Sequence, residues 1–128
     1  MSFTLVTTFS LLLAPPVLAL EMQATASGKD IYASNCASCH GRDGKGGGPA
    51  AAAFVKPPTD LTKINERYGG KFPRNTMREI VDGQRYYLAH GSREMPVWGD
   101  EFTSEKGVHA AGVTVEALVD YLESIQAK

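Results

Sequence analysis

Cys36-Ala37-Ser38-Cys39-His40 holds the only two cysteines of the chain and one of its three histidines. In the form C-x-x-C-H it reads as a c-type haem attachment sequence. The spacing has a chemical reason. Two thiols one helical turn apart each reach one vinyl group on the same porphyrin edge, and the adjoining histidine is carried beneath the ring, where a ring nitrogen binds iron. Other uses of these residues find no support. A structural zinc site needs a fourth ligand, and no second C-x-x-C or H-x-x-x-H pair supplies one. A redox dithiol calls for a βαβ setting that is missing, and a disulfide between Cys36 and Cys39 would close a loop too small to be of value.

On the amino side, Ser27-Gly28-Lys29-Asp30 has the Ser-x-x-Asp form that opens a helix, with the Ser27 hydroxyl as cap and Asp30 in the positive first turn. A short helix is expected from about 28 to 37. On the carboxyl side, residues 41–60 carry Gly41, Gly44, Gly46, Gly47, Gly48, Pro49, Pro57 and Pro58, too many breakers for a long regular element. This is a wrapping loop. It is not a phosphate-binding loop, because Lys45 is followed by Gly46 and no apolar strand precedes the glycines. Asn75 is expected to cap a helix to about Asp82, with Met77, Ile80 and Val81 on one face and Gly83 as the stop. Met77 on that face reads as core filler. After Thr114 as cap, Val115, Leu118, Val119, Leu122 and Ile125 recur with helical period, which predicts a last helix with a face to bury. The stretch from Asp100 to Val113 is polar and contains glycine, and reads as surface slack or a partner-docking feature.

The chain has 128 residues, 43% hydrophobic and 21% charged, enough for one globular domain. A net charge of -1 excludes the electrostatic footprint that nucleic-acid binding needs. No charged side chain occurs from Phe3 to Leu20, and small-residue patterns end at Ala19 and at Ala26. Residues 1–26 are therefore expected to be a secretory signal, cleaved after about Ala19 or Ala26, ahead of a domain at 27–128. A membrane anchor fits less well, since Thr4, Thr7, Thr8, Ser10 and Pro15-Pro16 interrupt the stretch and its amino side has no charged flank. A domain of this size with such loops has few apolar side chains for a core of its own. It calls for a large apolar guest, and haem c is one.

These pieces together resemble the class I c-type cytochromes, the small soluble monohaem cytochromes of bacteria. The resemblance runs over about 27–126 and rests on Gly28 and Tyr32, the Cys36–His40 motif, Gly41 to Pro49, Pro57-Pro-Thr-Asp-Leu61, Met95-Pro-Val-Trp-Gly99 and the amphipathic last helix. It implies an all-α fold of three to four short helices and long loops around one covalent haem, with Gly28 and Tyr32 meeting Leu118 and Tyr121 where first and last helices cross. It also implies that the Pro49 carbonyl takes the second ring N–H of His40. Met95, extended before Pro96, is the expected second axial ligand; His90 or an open distal site are the alternatives. Trp98, Arg42, Arg93, Tyr68, Tyr86 and Tyr87 are candidates for the haem edge or propionates.

The function this implies is single-electron transfer in the periplasm, as a free carrier or as the cytochrome subunit of a dehydrogenase. A dehydrogenase or quinol-oxidising complex would be the donor, and an oxidase or reductase the acceptor. A haem enzyme or gas sensor, open to peroxide, NO or CO, is the alternative.

Overall fold

The computed structural model describes residues 26–83 and 95–128. Residues 1–25 of the expected export segment lie outside it, as do Tyr86, Tyr87, His90 and Arg93. The described residues are helical without strands: α1 (Gly28–Asn35), α2 (Ala37–His40), α3 (Ile64–Arg67), α4 (Arg74–Asp82), α5 (Trp98–Lys106) and α6 (Val108–Ser124). This is the expected all-α architecture. None of these helices is long and apolar enough to cross a membrane.

The opening box forms as expected. The Asp30 backbone N–H donates to Ser27 Oγ at 3.2 Å, and the Ser27 hydroxyl donates to Asp30 Oδ2 at 2.6 Å. The expected single helix is instead two pieces, α1 ending at Asn35 and the one-turn α2 beginning after Cys36. α1 crosses α6 at Gly28, where a Cβ would lie 2.7 Å from the Ala117 carbonyl carbon and 2.9 Å from Tyr121 Cβ. Only a bare backbone fits there. Beside the crossing the rings of Tyr32 and Tyr121 are 5.2 Å apart. The buried Tyr32 hydroxyl donates to the Gly41 carbonyl at 2.7 Å, and burial raises its pKa, so it stays a donor.

The glycine-rich loop folds back over α2 and satisfies the carbonyls that a one-turn helix leaves free. Gly46 N donates to His40 O at 2.7 Å, Gly48 N to Cys39 O at 3.1 Å, and Ala50 N to Ser38 O at 2.9 Å. Two short 3₁₀ turns, Ala51–Ala53 and Leu61–Lys63, carry the chain onward to α3.

Three local expectations are corrected. α4 begins at Arg74 after Pro73, with no side-chain cap; Asn75 lies inside the helix and accepts from Arg78 Nη1 at 2.9 Å. Gly83 ends α4 as expected, in the left-handed region at φ 79°. The stretch 100–113 is not slack, because it forms most of α5 and the start of α6. Phe102, 2% exposed and stacked on Trp98 at 5.8 Å, anchors it. Thr114 is not a cap: its hydroxyl donates back to Ala110 O at 2.8 Å from within α6.

The core is the inner face of α6, with Leu118 and Val119 essentially without solvent contact, packed on α1, α4 and α5. On the outside, Arg74 pairs with Asp120 at 2.5 Å and with Glu123, and Arg78 pairs with Glu116, tying α4 along α6. Half-exposed pairs of this kind fix direction more than they add stability.

Candidate haem-binding site

Cys36 closes α1 and Cys39 and His40 lie on the turn of α2, so the motif sits on two short rigid pieces locked by the loop above them. The two cysteines form no disulfide with each other. Burial pushes the Cys36 thiol up to about 12, helped by the neighbouring Cys39. A redox dithiol needs the opposite shift, since the thiolate is the nucleophile. The zinc reading fares no better: among the described residues no three His, Cys, Asp or Glu side chains gather in a metal-holding group.

His40 Nδ1 lies 2.9 Å from the Thr59 carbonyl oxygen. A carbonyl can only accept, so Nδ1 carries the proton and Nε2 keeps its lone pair. Burial lowers the pKa of the ring and so favours the neutral form, outweighing the Thr59 bond, which acts in the opposite direction. A neutral imidazole with one nitrogen engaged is in the state that binds iron.

The expected acceptor was the Pro49 carbonyl, and here the structure differs. Pro49 is exposed, directly after Gly48, whose missing side chain lets it press on the Ser38 carbonyl. The returning arm of the loop brings Thr59 in instead. It is held there because Leu61 N donates to Gly44 O at 2.6 Å and Gly46 packs against the Pro58 carbonyl.

A cleft opens beside the motif, walled by Cys36, Cys39, His40, Phe54, Pro57, Thr59, Met95 and Trp98 among others. An apolar inner lobe shares Cys36, His40, Met95 and Trp98 with it and adds Leu61, Met77, Ile80, Val81, Leu118 and Leu122. Two thiols, a neutral imidazole and a thioether on the wall of one apolar cavity fit a flat, apolar, iron-bearing ring.

The family described as cytochrome c oxidase, cbb3-type, subunit III matches residues 23–122. The chain belongs to this family. It is a c-type cytochrome with covalently bound haem c and an electron-transfer role. It is also similar to the cbb3-type cytochrome c oxidase subunit CcoP of Cereibacter sphaeroides, at 34% identity over 94 residues. That match takes in 73% of this chain and 27% of CcoP, so the chain spans about a quarter of the length of that relative. No solved structure matches.

For a c-type cytochrome the distribution of the expected residues over the cleft is informative. Cys36, Cys39, His40, Met95 and Trp98 are brought together on its wall. Arg42 does not line it, and Tyr68, 38% exposed, belongs to a separate surface groove with Lys71 and Phe72. Met77 is buried as expected, but it also faces the inner lobe. Thr59, Phe54 and Leu61 were missed as wall residues. The only sequence signal for Thr59 and Leu61 was position within the Pro57–Leu61 segment of the resemblance, and Phe54 had none.

Proposed function

We propose that Cys36 and Cys39 would hold the haem covalently through their sulfurs and that His40 Nε2 and Met95 Sδ would be the ligands to its iron. When bound, the haem iron supplies a one-electron Fe(II)/Fe(III) couple. The protein's part is a dry cavity and fixed ligands that need little rearrangement when the charge changes. Thr59 holds the His40 ring and its tautomer, Leu61, Ile80, Val81, Leu118 and Leu122 exclude water, and Phe54, Pro57 and Pro96 border the cleft. The observation that carries this reading is the meeting of both thiols, a neutral His40 and Met95 on one cavity wall.

The chain is exported and works in the periplasm, taking electrons from a dehydrogenase or quinol-oxidising complex. Its similarity to an oxidase subunit favours a cbb3-type oxidase as acceptor over the dehydrogenase-subunit role expected from sequence. Brief, small docking contacts suit such exchange. Reduced protein mixed with a purified cbb3-type oxidase in air should be oxidised at a rate proportional to oxidase concentration. A haem that stays reduced beside an active oxidase would contradict this assignment.

A further inference from the structure

We infer that Asp82, Gly83, Val97 and Gly99 form a positioning clasp that sets how far Met95 reaches into the haem cleft. The inference rests on the reading of Met95 as axial ligand and adds the residues that place it.

The chain leaves α4 at Gly83 and is described again from Met95, and the two ends are in contact. Gly83 sits at φ 79°, and a Cβ there would collide with Val97 Cγ1 while lying 3.1 Å from Val97 Cβ and Cγ2. Val is stiff at χ1, so it cannot swing aside as a longer side chain would. A little further along the chain, the buried Gly99 presents bare backbone to Asp82. A Cβ on Gly99 would lie 2.6 Å from the Asp82 carbonyl oxygen and collide with its carboxylate. That carboxylate therefore lies against the first turn of α5, where the positive end of the helix favours it.

The same two elements face the cleft with other side chains. Met77, Ile80 and Val81 of α4 and Met95 and Trp98 of the second segment all line the inner lobe. So the cavity wall and the sulfur ligand are parts of one unit, joined by Asp82–Gly99 and Gly83–Val97. A displacement of Val97 passes through only one intervening residue, Pro96, whose φ is fixed, to Met95. The clasp needs two glycines because both approaches are closer than a Cβ allows.

The test is a cycle of haem-loaded variants: Gly83→Ala, Val97→Ala and the pair together. The left-handed backbone strain that Gly83→Ala introduces is common to the single and the double variant, whereas the collision with the Val97 branches exists only in the single one. The readouts are the sulfur-to-iron charge-transfer band of the oxidised protein and CO binding by the reduced protein. The parent should show the band and resist CO. Gly83→Ala should lose most of the band and bind CO about tenfold or more tightly, and the double variant should recover toward the parent. If Gly83→Ala keeps the parent's band and CO resistance, or the double variant is no better than the single, the clasp is wrong. A parent that lacks the band overturns the Met95 assignment instead, which separates the two failures. Should Gly83→Ala yield no folded haem protein, Val97→Ala and Asp82→Asn remain as milder releases. Increased CO binding in either supports the clasp, and parental behaviour in both refutes it.

Discussion

Thr59 engages one nitrogen of His40 and leaves the other with its lone pair, so the ring's tautomer is set by a carbonyl nineteen residues away in sequence. The two thiols and the imidazole were readable because they fall within five residues and their chemistry is tied to their spacing. The acceptor was not. Any residue offers a carbonyl, so nothing in the identity of Thr59 distinguishes it from Pro49, and only the return of the loop past Gly46 and Gly44 selects it. The Met95-Pro96 pair drew attention to Met95, because the proline favours an extended residue before it, and Met95 does line the cleft. The variant Met95→His should keep a six-coordinate haem while its midpoint potential falls, by tens to hundreds of millivolts within the roughly 0.8 V that axial ligation spans. Redox titration of parent and variant checks this; equal potentials and spectra would remove Met95 from the iron.

Helix α6 carries the structure's main apolar face, and its period was plain from Val115 onward because five apolar residues share one stripe. Its first six residues were hidden by Gly112, a weak helix former, and by Thr114, whose hydroxyl suits a cap as well as it suits the bond to Ala110 that it makes. α5 was hidden in the same way: Asp100, Glu101, Ser104 and Glu105 give a polar average, and the anchoring contact of Trp98 with Phe102 is legible only once the chain is folded. Gly112 has open space around the position of a Cβ and no left-handed backbone. Gly112→Ala should therefore stabilise the haem protein by about 0.5–1 kcal/mol, through helix propensity and a less free unfolded chain. Denaturant unfolding measures it, and a lower midpoint with unchanged slope would contradict the helical assignment of this stretch.

Among the described residues six helices, two of them single turns, surround a cavity whose inner lobe is lined by Leu61, Met77, Ile80, Val81, Leu118 and Leu122. Met77, Val81, Leu118 and Leu122 are buried there and Leu61 and Ile80 are packed against them, so a ring seated in the lobe would extend a core that is small for the chain. Cys36→Ser with Cys39→Ser, exported under the same conditions, should remove the covalent ring and most of a stability on the order of 5–15 kcal/mol. Far-UV circular dichroism and thermal melting should find an expanded chain without a sharp transition. A cooperative melt like the parent's would mean that the polypeptide core suffices alone.

The most direct test is the optical spectrum of the purified protein, oxidised and then reduced, with and without CO. Covalent low-spin haem with the sulfur-to-iron charge-transfer band when oxidised, and no response to CO when reduced, is the expected result for an electron carrier ligated by His40 and Met95. A high-spin spectrum, or a reduced form that binds CO readily, would contradict it by revealing an open iron suited to ligand or peroxide chemistry.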